Sequence, residues 1–222
     1  MLKIYENCTG KGVNMANNNF IITIGREFGS GGHAIAKMLG ADLGVKVYDK
    51  ELLDLAAKNS GLSIDILKDY DEKPTNSFLY SLSLGAYSYE GVLSGLPNLP
   101  LVDKVFAVQA EIIREIAEKE SCIIVGRCAD SILKGKENLL SVFIHADLEQ
   151  RAKRVMEYEK IPFQKAVDVV RKADKKRASY HNYFSEDKWG DARSYDLCID
   201  SKIGYENVAH IIKYCVQEHI HG

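Results

Sequence analysis

The sequence predicts an α/β fold, and three observations carry that reading. Short apolar runs rich in β-branched residues alternate with longer stretches of helical spacing. The first of these runs, Phe20 to Ile24, passes through a glycine cluster directly into a helix. At 222 residues the chain has room for one such domain with an insertion, or at most two small domains.

The stretch from Phe20 to Ala34, FIITIGREFGSGGHA, organises the rest. Its strand ends at Gly25, loops through Arg26, Glu27 and Phe28, and enters Gly29, Ser30, Gly31 and Gly32. From His33 to Leu43, the residues Ala34, Ile35, Met38, Leu39 and Leu43 recur at helical spacing. Glycines let a backbone approach an anion closely with its N–H groups turned inward, and a helix N-terminus adds positive potential. Gly25 to His33 therefore read as a phosphate-binding loop. The text departs from the pattern G-x-x-x-x-G-K-[ST]: Gly25 and Gly31 are six positions apart rather than five, Gly32 stands at the lysine, and His33 at the Ser/Thr. Gly29-x-Gly31-x-x-Ala34 also fits a dinucleotide fingerprint, with Asp49 near the end of the next strand. Arg26, Glu27 and Phe28 make the preceding loop too long for that fold. A tight turn without a ligand is the third reading.

After Gly44 a short run, Val45 to Tyr48, gives the second strand, and Asp49 opens a helix. Asp49 reads equally as a helix cap or as a ligand-facing group, because open parallel sheets bind ligands at the carboxyl ends of their strands. Composition changes between 60 and 100. Asp65, Asp69, Asp71 and Glu72 lead to Pro74, and a Ser-, Leu-, Tyr- and Gly-rich segment from Phe78 closes with Pro97 and Pro100. This reads as a mobile helical insertion over the site, or as a surface excursion or oligomer contact. Leu101 to Glu120 is a helix with core spacing at Val105, Val108, Ile112, Ile113 and Ile116. Ser121 to Val125 is a buried strand ending at Gly126-Arg127, where a rigid guanidinium fork suits phosphate oxygens or a surface ion pair. Leu139 to His145 is a fourth strand. Asp147 caps a helix carrying Arg151, Lys153 and Arg154, and a further helix from Pro162 carries Arg171, Lys172, Asp174, Lys175, Lys176 and Arg177. Basic helical faces are commonly just solvated, but two of them here flank the loop. An aromatic, loop-like stretch from Tyr180 to Gly190 precedes a fifth strand, Tyr195 to Ile199, and a closing helix from Tyr205 to His219.

A net charge of -2 gives no overall basic field for nucleic acid. No apolar run approaches the roughly 18 residues that a membrane span needs. Five cysteines, Cys8, Cys122, Cys128, Cys198 and Cys215, are odd in number and lack metal-ligand spacing, so they read as reduced thiols of a cytoplasmic protein. Residues 1–19 lack the apolar core of a signal peptide and read as a flexible tail, with Met15 an alternative start.

From Phe20 onward the chain resembles the cytidylate kinase-like family, a divergent branch of the P-loop nucleoside monophosphate kinases. The resemblance is carried by IGREFGSGGHAIA, YDKELL, VGRCADSIL, FIHADLEQRAKRV and the late DKKRASYHNYF…W…YDLCIDS. It implies a P-loop NTPase-type three-layer fold over 20–222: a five-stranded parallel sheet between helices, a helical acceptor-binding insertion over 60–100, and a lid over about 151–192. It implies ATP and Mg2+ as cofactors, with Gly25, Arg26, Glu27, Phe28, Gly29, Ser30, Gly31, Gly32 and His33 around the donor phosphates. Asp49 matches the acidic residue that helps recognise the acceptor nucleotide, and Arg127 the arginine that follows the third strand. Asp174 and Arg177 match a D-x-x-R pair that holds acceptor sugar and phosphate, while Arg151 and Arg154 lie on the helix leading to the lid. Arg127, Arg151, Arg154, Asp174 and Arg177 are thus candidate catalytic residues; Asp49, Arg127, Asp174 and Arg177 are candidate substrate contacts.

Phosphoryl transfer is accelerated chiefly by aligning donor and acceptor and by cations that neutralise the equatorial oxygens. A lysine-free loop lacks one such cation, and losing a comparable contact costs about 3–4 kcal/mol of transition-state stabilisation. Arg26 or a lid arginine are the replacements on offer, with Ser30 or water at the magnesium. His33 reads as a helix N-terminal residue or as a catalyst. The expected activity is ATP-dependent phosphotransfer to a small phosphorylated acceptor, cytidylate first. Competing readings are another small-molecule kinase, a non-catalytic nucleotide-binding regulatory module, and a dinucleotide-dependent oxidoreductase. The expected partner is a small-molecule nucleotide, with neither nucleic acid nor membrane. The tyrosine-rich insertion is able to support a homodimer, and nothing compels one.

Overall fold

In the computed structural model, which describes residues 19–60, 65 and 100–221, the first predicted strand becomes the middle of the sheet. β1 (Ile21–Arg26) pairs in parallel with β3 (Cys122–Val125) on one side and β4 (Leu139–His145) on the other. β2 (Lys46–Tyr48) and β5 (Leu197–Asp200) form the edges, so the order is β2-β3-β1-β4-β5 with every pairing parallel. A central strand covered on both faces needs a largely apolar run; Ile21, Ile22 and Ile24 are fully buried, and the small Thr23 between them is buried too. Burying each isoleucine contributes about 1.5–3 kcal/mol.

Alternation along the strands builds two cores. Ile22, Ile24, Ile123, Val125 and Ile144 pack with Ile35 and Leu39 of α1 (Gly32–Leu43) and with Val208 and Ile212 of α7 (Tyr205–His221). Ile21, Cys122 and Ile124 face the opposite way, toward Leu52 of α2 (Glu51–Ser60) and Val105, Val108, Ile112, Ile113 and Ile116 of α3 (Leu101–Lys119). The result is the three-layer α/β sandwich expected. After β3 comes α4 (Ala129–Ile132); after β4 come α5 (Leu148–Glu159) and the long α6 (Phe163–Phe184). Asp147 caps α5 as its position predicts, accepting a hydrogen bond from the Glu149 amide at 2.8 Å.

Several boundaries differ from the sequence reading, most by a residue or two, and β1 runs through Arg26, paired with Ile144, where the loop was expected to begin. α6 runs through Phe184, where a loop was expected from Tyr180, because Tyr180 and Phe184 turn inward onto Phe106. β5 starts at Leu197 rather than Tyr195. The Asp196 carboxylate there accepts from both the amide and the hydroxyl of Ser141, each at 2.7 Å, while its own amide donates to the Ser141 carbonyl at 3.0 Å, so side chain and backbone together tie the entry of β5 to β4. The tail expected over 1–19 and the insertion expected over 60–100 fall, but for residues 19, 60, 65 and 100, outside the described residues. Cys122, Cys128, Cys198 and Cys215 are all free thiols; Cys8 lies outside the described residues. Among the described residues no helix is long and apolar enough to cross a membrane.

The short edge strand β2 is tied down by charge. Lys46 reaches both oxygens of Glu120 at 3.0 and 2.9 Å, and the Tyr48 hydroxyl donates to the same carboxylate. The Tyr48 hydrogen bond, then that of Lys46, hold the Glu120 carboxyl below its usual 4.5. A depressed folded value means this stability is present above the ordinary glutamate range and is lost as pH falls through the folded value. Glu120→Gln is therefore expected to lower the melting temperature more at pH 7 than at about pH 3. Melts at the two pH values check it.

Candidate active site

From β1 the chain goes to β2 and β3 on one side of the sheet and later to β4 and β5 on the other. The loop after β1 therefore lies where the strand order reverses, the place at which open parallel sheets bind ligands. A cleft of about 590 Å³ opens there. The loop contributes Arg26 to Gly29 and Gly31 to Ala34, the end of β2 contributes Asp49 and Lys50, the end of β3 Arg127, and the α5–α6 arm Tyr158 and Arg177.

Loop shape follows from its glycines. Gly31 is the N-cap of α1 with φ 88°, in the left-handed region that glycine enters freely. It also has no room for a side chain, since a Cβ there would lie 2.3 Å from Cζ of Tyr205. Ser30, one residue earlier, is fully buried and does not line the cleft; its hydroxyl has no hydrogen-bond partner among the described residues.

Asp49 uses its carboxylate across the cleft rather than as a helix cap. One oxygen accepts from His33 Nδ1 at 2.7 Å, and the other from Arg127 Nη1 at 3.3 Å. Arg127 is buried, only 3% exposed, so the surface ion pair considered from sequence is instead an interior one. Gly126, Arg127 and Cys128 follow one another at φ 76°, 53° and 55°. For the two non-glycine residues such a conformation costs on the order of 1–3 kcal/mol each. That expense turns the Arg127 side chain back beside Val125, whose carbonyl it reaches at 3.5 Å, and onto Asp49.

Three residues expected at the reaction centre stand behind the loop. Arg151 is 5% exposed and makes a web of contacts. Its Nε donates to the Ala146 carbonyl at 2.9 Å and lies 3.2 Å from Glu27; its Nη1 donates to the Phe28 carbonyl at 3.1 Å and to Asp174 at 2.5 Å. Asp174 in turn accepts from the Phe28 amide at 2.7 Å, and Glu27 from the Ala146 amide at 3.0 Å. Arg154 donates to the Gly29 carbonyl at 3.0 Å and to the Ser201 hydroxyl at 3.3 Å, with its guanidinium 5.3 Å from the Tyr205 ring centre. None of Arg151, Arg154 and Asp174 lines the cleft; they clamp the loop backbone to the arm. Phe28 packs on the small core of that arm, formed by Ala152, Val155, Ala166, Val167 and Val170. Arg177 differs: it holds the Arg26 carbonyl at 3.2 Å, stacks 5.4 Å over Phe28, and faces the cleft.

Lys50 and Tyr158 also line the cleft, and the sequence reading singled out neither. Lys50 had a signal, its place beside Asp49 at a strand end. Tyr158 had none. A second cleft, of about 740 Å³, lies on the far side of Glu27, walled by Phe143, His145, Trp189, Asp200 and Lys202.

The profile of the cytidylate kinase-like family matches residues 21–203, from the start of β1 through the turn after β5. The chain belongs to the cytidylate kinase-like family. Among solved structures, an uncharacterized protein from Eubacterium ventriosum ATCC 27560 is 35% identical with a TM-score of 0.66, over 90% of this chain and 99% of that one. The shikimate kinase from Bacteroides thetaiotaomicron is 10% identical with a TM-score of 0.51, over 89% and 98% of the two chains. That second likeness is one of fold, and the fold is that of the P-loop kinases. A comparison with curated proteins gave no match. In this member of the cytidylate kinase-like family the matched span takes in the glycine loop, Asp49, Arg127 and the whole basic arm.

Proposed function

We propose that this protein is an ATP-dependent phosphotransferase acting on a small anionic acceptor, with cytidylate the first candidate. The observation that carries the reading is convergence: Arg26, Lys50, Arg127 and Arg177 meet at one cleft above a left-handed glycine turn, at the reversal of strand order. Little covalent help is needed for phosphoryl transfer. Fixed cations and backbone amides supply the charge, and positioning supplies the rest. The α1 N-terminus and Gly29 to Gly32 suit the donor phosphates. Arg177, Lys50 and the Asp49–Arg127 pair suit the acceptor. The family supports cytidylate as that acceptor.

Among the described residues no group of three or more His, Cys, Asp or Glu is placed to hold a metal ion. Magnesium in nucleotide sites is held by one or two carboxylates, with phosphates and water completing its shell, so the site fits it nonetheless. Glu27 lines the cleft and is the residue that would hold it. When bound, the ion supplies charge to the terminal phosphates.

The His33–Asp49 contact favours a second acceptor class. A carboxylate only accepts, so His33 Nδ1 is the donor, and in the neutral ring the other nitrogen is then an acceptor. Such a ring suits an acceptor hydroxyl, which must lose a proton, better than a phosphate monoester, which at neutral pH need not. Acceptor-dependent ADP release across nucleoside monophosphates and small hydroxy acids tests both. Highest turnover with CMP or dCMP supports the first reading, a hydroxy acid the second, and none with any acceptor contradicts both.

Arg177→Ala is expected to lower kcat/KM by about a hundredfold, the scale of one lost transition-state contact. Its effect on melting temperature should be smaller than that of Arg151→Ala, because the Arg177 side chain is only partly buried, whereas Arg151 is buried and paired with Asp174. Parallel kinetics and thermal melts check the split.

A further inference from the structure

We propose that Arg26 supplies, from the strand side of the loop, the cation that a loop lysine supplies from the helix side in other phosphate loops. The inference rests on the phosphotransferase reading and explains why Gly32 stands where that lysine is expected. A Cβ built on Gly32 would lie 2.8 Å from Cβ and 3.1 Å from Cγ of Arg26, with the next atom, Cγ2 of Ile24, at 3.8 Å. The two close atoms belong to the base of the arginine stem, which cannot swing aside as a side-chain tip does. Conformation does not call for glycine here, since Gly29 and Gly31 are left-handed and Gly32 is not. Gly32 lacks a side chain because Arg26 passes over it.

Strand end and helix start thus face each other across the loop with room for one long cationic side chain. Arg26 is the last residue of β1 and Gly32 the first of α1. Arg26 crosses Gly32 and lines the cleft, while Arg177 Nη1 pins its carbonyl at 3.2 Å. A guanidinium is always charged and meets phosphate oxygens in pairs, so the exchange keeps the charge and adds a second hydrogen bond.

The test is calorimetric titration of wild type, Arg26→Ala, Arg26→Lys, Gly32→Lys and the double variant Arg26→Ala/Gly32→Lys. Each is titrated with ATP and with AMP, which lacks the outer phosphates, and thermal melts accompany every titration. Arg26→Ala is expected to lose at least about tenfold in ATP affinity with AMP unchanged, the scale of a charge-assisted contact. Arg26→Lys should bind ATP more tightly than Arg26→Ala. Gly32→Lys alone should melt lower and bind ATP poorly, and the double variant should bind ATP better than either of its parents. Wild-type ATP affinity in Arg26→Ala would overturn the proposal. So would a double variant that melts with Arg26→Ala yet binds ATP no better; if the double does not fold, Arg26→Lys binding no better than Arg26→Ala is the overturning result. A wild type that binds no ATP overturns the phosphotransferase reading instead.

Discussion

Replacing Gly31 by valine is expected to abolish ATP binding, with a loss of at least about a hundredfold, roughly 2.7 kcal/mol. Two independent costs act at this residue. Its φ of 88° puts any L side chain in the left-handed region, which costs about 1–2 kcal/mol and more for a β-branched residue. The Tyr205 ring fills the space as well, with Cζ and the hydroxyl oxygen 2.3 and 2.4 Å from an added Cβ. A retreat of the Tyr205 ring disturbs its contact with Arg154, whose guanidinium lies 5.3 Å from the ring centre and also holds the Gly29 carbonyl. The clash is therefore expected to pass into the glycine loop. The steric part separates from the conformational part in a double-mutant cycle, where Gly31→Ala should cost less in a Tyr205→Ala background than in wild type. Equal costs in both backgrounds would show that the ring is irrelevant.

Arg151→Ala is expected to destabilise the fold by about 3–5 kcal/mol, because it breaks a buried ion-pair web and leaves carboxylates without their cation. Glu27 and Asp174 are 23% and 17% exposed at their side chains, so water replaces the guanidinium only in part. The Phe28 and Ala146 carbonyls lose their donor at the same time. In a domain of this size that corresponds to a fall in melting temperature of about 10 °C. Asp174→Ala should behave similarly, since its carboxylate holds the Phe28 amide as well as Arg151. Denaturant unfolding of both variants beside Arg177→Ala measures this. Loss of turnover with unchanged stability in Arg151→Ala would show that the residue meets phosphate directly rather than supporting the loop.

These contrasts locate what the sequence could reveal. A β-rich run, a glycine cluster and a helical period sit next to one another in the chain, so β1, the loop and α1 are legible from local pattern. Strand order is not, because β3 enters between β2 and β1 from far along the sequence. The arginines illustrate the same limit. Arg151, Arg154 and Arg177 share similar helices and composition, yet the two on α5 reach the loop backbone from behind while the one on α6 lines the cleft, a difference set by where each helix packs. A spacing such as D-x-x-R at Asp174 and Arg177 identifies two residues on one helix face without telling which reaches a ligand. Arg127 lies at a strand end as its position in the sequence predicts, but its left-handed backbone and its partner Asp49 depend on a tertiary contact that no local preference anticipates. Tyr180 misled for the reverse reason: aromatic, polar-flanked residues look loop-like until Phe106 supplies the surface they pack on.

The measurement that bears most directly on the account is transfer of a radiolabelled γ-phosphate from ATP to CMP by the purified protein with magnesium, with an acceptor-free control. The account predicts label in CDP that depends on the protein, on magnesium and on CMP. Label that stays in ATP, or appears only as inorganic phosphate at the same rate with and without every acceptor tried, would contradict it.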